Sequence, residues 1–132
     1  NCFADTWDEL ENEVLKRIDK TKPLYVTGHS LGGAVACVAA LSLFNSGINI
    51  AGVYTFGQPR VGNLDWYIAF ASSKIELYRV KNGNDIVTTI PRILFWRHVG
   101  KEIHINRRGF SWFMNSFLDH KLENYLKNLH LM

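Results

Sequence analysis

The sequence predicts an α/β fold built on a mainly parallel sheet flanked by helices, and three observations carry that prediction. Runs of strand formers alternate with helical patterns, the order that places crossover helices on both faces of a parallel sheet. The pentapeptide Gly28-His29-Ser30-Leu31-Gly32 stands between a short apolar strand-like run and a long run of small apolar residues. The chain has 132 residues, 47% hydrophobic and 13% aromatic, enough for one folded domain over 1–132 with a real core.

Element by element, Trp7, Leu10, Val14, Leu15 and Ile18 recur at helical spacing. With Asp5 as N-cap and Pro23 as stop, they predict an amphipathic helix over about 6–20. Leu24 to Thr27 reads as a strand, and Gly33 to Leu41 as a buried helix. Ala51 to Phe56 reads as a second strand ended by Gly57-Gln58-Pro59, after which Asn63 caps a short helix through Phe70. A third strand spans Ile75 to Val80 and closes on the turn formers Asn82-Gly83-Asn84-Asp85. Strand character returns over 97–105, with Gly100 in a turn, and 116–130 reads as a last amphipathic helix carrying Phe117, Leu122, Tyr125, Leu126 and Leu129.

A strand that turns sharply into a helix at Ser30 forces the serine into a strained backbone conformation. The residues two before and two after must then be small, which accounts for Gly28 and Gly32. The serine hydroxyl stands clear of the sheet, and the Leu31 N–H at the helix start faces the place where negative charge would develop. A phosphate-binding loop would need Gly-Lys-Ser/Thr here, whereas Gly32-Gly33-Ala34 follows, and neither Gly28 nor Gly32 fits a dinucleotide fingerprint.

Charge is uneven. Residues 1–73 hold five Lys/Arg against seven Asp/Glu, and residues 74–132 ten against five, giving the formal +3 overall. The basic half suits an anionic lipid surface, although its charges are scattered, as on an ordinary solvated face. No nucleic-acid-binding motif is present, and no apolar run approaches the ~18 residues of a membrane span. Cys2 and Cys37 are too few for a disulfide framework, and Cys37 reads as a buried small hydrophobe. No signal peptide is visible. With Asn1 rather than Met at the start an upstream segment is expected, so location stays open between secreted and cytoplasmic.

A serine needs a histidine to take its proton and a carboxylate to orient that histidine. The order serine, acid, histidine selects Asp85, which like Ser30 follows a strand end and so reaches the same rim of the sheet. Asp65 lies in the first turn of a helix, where it meets the dipole. Asp119 is too close to His120 to be its obvious partner. Among the histidines, His29 is held beside the serine where its ring cannot easily reach round. His98 and His104 lie in or beside strand-like sequence, and His130 is near a frayed end. His120, near the start of the last helix, is selected as the base, with His98 as the alternative.

At this point the sequence resembles the class 3 lipase family, of α/β-hydrolase fold. Val26 to Ala34 is similar to the family's serine turn, and Tyr54 to Asn63 to its next strand and turn. Asn84-Asp85 with Val87 and Pro91 resembles its acid loop, His98 to Glu102 a non-catalytic segment, and Asp119-His120 with Leu122 and Tyr125 its histidine segment. The resemblance implies Ser30 as nucleophile, Asp85 as orienting acid, His120 as general base and acid, and Leu31 N–H as one oxyanion donor. Arg60 and Asn63 are read as shaping a turn and capping a helix. The family pattern also has an earlier strand, whose following loop gives a second oxyanion donor, and a helical lid. The sequence from Asn1 carries no counterpart of either, so the expectation is a fragment truncated on the N-terminal side, a part supplied by another chain, or a weakly active module.

The expected function is hydrolysis of lipid carboxylic esters of the triacylglycerol lipase kind, with no metal or organic cofactor. Peripheral contact with a lipid interface is expected as well. The alternatives are a weakly active or inactive lipid-binding or interaction module, and acyl transfer by the same three residues. Phe95, Trp96, Phe110, Trp112, Phe113 and Phe117, interleaved with Arg97, Arg107 and Arg108, are read as packing beneath the last helix, with an acyl groove or interfacial rim as the alternative.

Overall fold

The structure, a computed structural model, describes residues 2–93, 95–106 and 116–130. Four strands form one parallel sheet in the order β1 (Leu24–His29), β2 (Ile50–Phe56), β3 (Leu77–Asn82) and β4 (Lys101–Ile105). Helix α1 (Cys2–Arg17) precedes β1, α2 (Leu31–Asn45) and α3 (Leu64–Ser73) make the first two crossovers, and α4 (Leu122–Leu129) follows β4.

Side-chain alternation along β2 assigns the two faces. Val53 packs with Ala34, Cys37, Ala40 and Phe70, so α2 and α3 cover that side. Phe56, three residues on and therefore on the opposite side, packs with Val80, Ile105 and Tyr125 of α4. Helix α2 is made of small apolar residues and is buried on several sides, because Trp7 of α1 packs onto its outer face against Ala39 and Leu43. On the α4 side the sheet also carries a row of tyrosines, Tyr25, Tyr54 and Tyr78, with ring centroids 6.4 and 5.3 Å apart.

Several boundaries differ from the sequence reading. Helix α1 starts at Cys2, leaving Asp5 inside its first turn, where the carboxylate still meets the helix dipole. Leu10, counted with the apolar stripe, is 48% exposed. The strand expected over 97–105 divides: Arg97 makes an isolated antiparallel bridge with Gly62, and β4 begins only after Gly100, whose φ of 76° breaks the run. The last helix is shorter than 116–130, because Lys121 is extended (φ −63°, ψ 133°) and residues 116–121 form turns and a bend. Tyr125 is its buried residue, whereas Leu122 and Leu126 are exposed.

The aromatic segment does not pack beneath α4 where it is described. Phe95 and Phe117 project from turns and are exposed, and Trp96 packs on the other face against the Val53–Phe70 core. Phe110, Trp112, Phe113, Arg107 and Arg108 lie outside the described residues. Among the described residues no helix is long and apolar enough to cross a membrane.

Candidate active site

Ser30 stands between the last residue of β1 and the first of α2, with φ 55° and ψ −126°. That conformation is one L-residues rarely adopt. The parallel ladder continues into the turn, since Ser30 N–H donates to Phe56 O at 2.9 Å. A Cβ on Gly28 would collide with the Gly32 carbonyl and lie 2.7 Å from Gly33 N, so no side chain fits there. The steric demand expected at Gly32 is absent: a Cβ there meets nothing within 4 Å. It falls on Gly33 instead, whose Cβ would lie 3.1 Å from Gly28 O and 3.2 Å from Gln58 Cβ. The helix turns Gly32 outward and Gly33 toward the end of β2.

Asp85 follows β3, in a turn fixed by its own N–H to Asn82 O at 3.0 Å and by Val87 N–H to its Oδ1 at 2.9 Å. His120 lies on the turn before α4. Its Nδ1 is 3.0 and 2.9 Å from the two Asp85 oxygens, and its Nε2 is 2.7 Å from Ser30 Oγ. A carboxylate acceptor at Nδ1 places the ring proton there and leaves the Nε2 lone pair for the serine O–H. Asp85 is fully buried. A third donor, Tyr125 O–H at 2.5 Å from Oδ2, completes the shell that a buried anion requires. Burial, the hydrogen bond to Asp85 and that residue's charge all push the Tyr125 phenol upward, so it stays a neutral donor.

Two neighbours shape the histidine site. His29 Nε2–H donates to His120 O at 2.8 Å, and the two rings stack with centroids 4.8 Å apart. Gly57, at the end of β2 with φ 60°, leaves the space that the imidazole and carboxylate fill: a Cβ there would be 2.8 Å from Asp85 Oδ2 and 2.9 Å from His120 Nδ1. The Leu31 N–H lies in the first turn of α2, where a helix has no acceptor of its own to offer.

The other candidates have separate places. Asp65 sits beside the Asn63 cap of α3, whose side chain accepts Trp66 N–H at 3.1 Å. Arg60 donates to Pro91 O at 3.2 Å and braces the segment after the acid loop. His98 and His104 reach that loop from the β4 side, with Nε2 2.6 Å from Thr88 O and 2.7 Å from Gly83 O. Cys37 is buried with its thiol pushed upward by desolvation. Among the described residues no group of three or more His, Cys, Asp or Glu could hold a metal ion.

Sequence reasoning missed Gly57, Tyr125 as a donor to Asp85, and His29 as a support for His120. A glycine directly after a strand end was the one local signal.

A parallel sheet with helices on both faces, and a serine on the strained turn from first strand to helix, defines an α/β-hydrolase-type protein. The sequence matches the family model for Lipase (class 3) over residues 2–95, and the chain belongs to that family. It is 40% identical over 108 residues to the secreted mono- and diacylglycerol lipase 1 of Fusarium solani, covering 76% of this chain and 32% of that protein. With a lipase of Rhizomucor miehei it shares 39% over 114 residues, covering 78% of this chain and 31% of that protein. The chain thus spans about a third of the length of these two relatives. A solved triacylglycerol lipase, described as having a serine protease triad as its catalytic centre, superposes with a TM-score of 0.74 at 31% identity, covering 89% of this chain and 56% of that one.

Proposed function

We propose that this chain hydrolyses carboxylic esters of lipids through an acyl-enzyme formed on Ser30. The observation that carries the reading is the line of hydrogen bonds from Ser30 Oγ through His120 to the buried Asp85 carboxylate. His120 Nε2 takes the hydroxyl proton as Ser30 Oγ attacks the ester carbonyl carbon. Asp85 holds the ring in its tautomer and stabilises the imidazolium. Negative charge on the tetrahedral oxygen is met by the Leu31 N–H and the positive end of α2. The imidazolium then protonates the departing alcohol oxygen, leaving an acyl-serine. A water, deprotonated by the same Nε2, attacks that acyl carbon, and the fatty acid leaves as Ser30 regains its proton.

Kinship with the Fusarium mono- and diacylglycerol lipase supports a lipid ester as substrate. Exposed Leu31 beside the serine, Phe117 and Leu118 before His120, and Ile90 and Ile93 after the acid loop support contact of this rim with a lipid surface. A fluorophosphonate probe tests the reading: it should label the wild-type chain at Ser30 and leave Ser30→Ala unlabelled. A folded chain that never reacts, beside an active lipase that does, would leave a lipid-binding module instead. Incubation with competing acceptor alcohols should still release free fatty acid; new fatty esters would mean acyl transfer.

A further inference from the structure

We propose that Asp119 is a positioning residue that fixes the separation of the acid and histidine loops, an inference that rests on Ser30, His120 and Asp85 being the catalytic set. Its Oδ2 accepts the Asn84 N–H at 2.8 Å, so the residue before His120 holds the residue before Asp85. Its backbone carbonyl accepts Asn82 Nδ2–H at 2.9 Å. Asn82 is fully buried at the end of β3, and its Oδ1 accepts Asn128 Nδ2–H of α4 at 2.8 Å.

Between Asn82 and Asn84 lies Gly83, with φ 49°, and a Cβ there would fall onto the Asp119 carboxylate. The glycine lets that carboxylate lie flat on the turn, while His104 Nε2–H holds the Gly83 carbonyl from the β4 side. The Asn82–Asp119 carbonyl bond and the Tyr125–Asp85 bond tie the two loops from β3 and α4. The Asp119–Asn84 bond is the tie directly beside the His120–Asp85 pair, one residue away on each loop. Together with two stretches of main chain the ties close a small ring that fixes the distance between imidazole and carboxylate. Adjacency to His120, which argues against Asp119 as the orienting acid, is what suits it to this role.

The test compares wild type, Asp119→Asn, which keeps an acceptor oxygen, and Asp119→Ala, which removes it. The readings are kcat and KM on a soluble short-chain p-nitrophenyl ester, and the low-field proton resonance of His120 Nδ1–H. Asp119→Ala should lower kcat about 10- to 100-fold, as for a group displaced by ~1 Å, with KM within about 2-fold and the resonance broadened away. Asp119→Asn should restore the resonance and bring kcat back to within about 3-fold of wild type. A folded Asp119→Ala with wild-type kcat and resonance overturns the proposal. So does an Asp119→Asn as impaired as Asp119→Ala, which would assign the effect to charge. If Asp119→Ala does not fold, Asp119→Ser, too short to reach the Asn84 N–H, takes its place under the same criteria. A wild-type chain without ester hydrolysis would sink the esterase reading, while the resonance would still decide on the clamp.

Discussion

His29, the residue before Ser30, donates Nε2–H to the backbone carbonyl of His120 at 2.8 Å and stacks its ring on the His120 imidazole. The end of β1 thereby grips the turn that reaches over it. The serine and the histidine it faces are fixed to one another by main chain as well as by their own hydrogen bond. Replacing His29 with Ala should cost about 1–3 kcal/mol in urea unfolding, from one hydrogen bond and a ring contact. The rate of fluorophosphonate labelling should fall about tenfold, since His120 loses a support that holds its ring against Ser30. Unchanged labelling by a folded variant would deny His29 this role.

Backbone strain at Ser30 has its own signature. With φ 55° and ψ −126°, glycine suits position 30 better than any other residue. Ser30→Gly and Ser30→Ala both lose the hydroxyl and should both be inert to the probe. Ser30→Gly should nevertheless be the more stable, by about 1 kcal/mol or more, because it alone relieves the backbone. Equal melting temperatures for the two would show that the turn is unstrained.

Two glycines near the site should respond in opposite senses. Gly57→Ala introduces a methyl within 3 Å of both Asp85 and His120 at a positive φ. It should cost about 2–4 kcal/mol and remove labelling. Gly32→Ala meets open space in the first turn of α2, and should be neutral or stabilising by up to about 1 kcal/mol. Thermal melts of the pair decide this, and a severe loss in Gly32→Ala would contradict the geometry.

Burial, aided by the charge on Arg79, holds the His98 imidazole down at about 4. An unfolded histidine titrates near 6.5, so above about that pH it is neutral in both states. As pH falls from about 6.5 toward 4, the unfolded chain takes up a proton the native state refuses, and stability declines by up to about 3 kcal/mol. His98→Gln lacks that titration, so the stability lost between pH 7 and 4.5 should be smaller in the variant. Parallel pH dependences in urea titrations would rule His98 out.

The strand, serine and helix around residue 30 were legible because they are consecutive, and their conformational needs are written in neighbouring residue types. The meeting of Asp85 with His120 was legible through chain order and the place of Asp85 after a strand. What escaped were contacts made by topology. His29 meets His120 across 91 positions and Tyr125 meets Asp85 across 40, and no local pattern marks either. Gly32 was misread because symmetry about the serine was assumed, whereas helix geometry turns Gly33, not Gly32, toward the sheet. The last helix was drawn too long because apolar spacing ran on through 116–121, where an extended Lys121 interrupts it.

Ser30 directly follows β1, Gly57 directly follows β2, and Asp85 lies just beyond β3, three adjacent strands of one parallel sheet. Neighbouring strands are spaced by about 4.8 Å, so Ser30 and Asp85 stand on a grid two intervals wide, about 10 Å. The His120 imidazole with a hydrogen bond at each end, helped by the Ser30 and Asp85 side chains leaning inward, bridges that gap, and the side-chain-free middle position gives it a slot. The reach of this hydrogen-bonded line is therefore a unit of measure borrowed from the peptide hydrogen bond. The strand spacing sets that ruler, and no single residue encodes it.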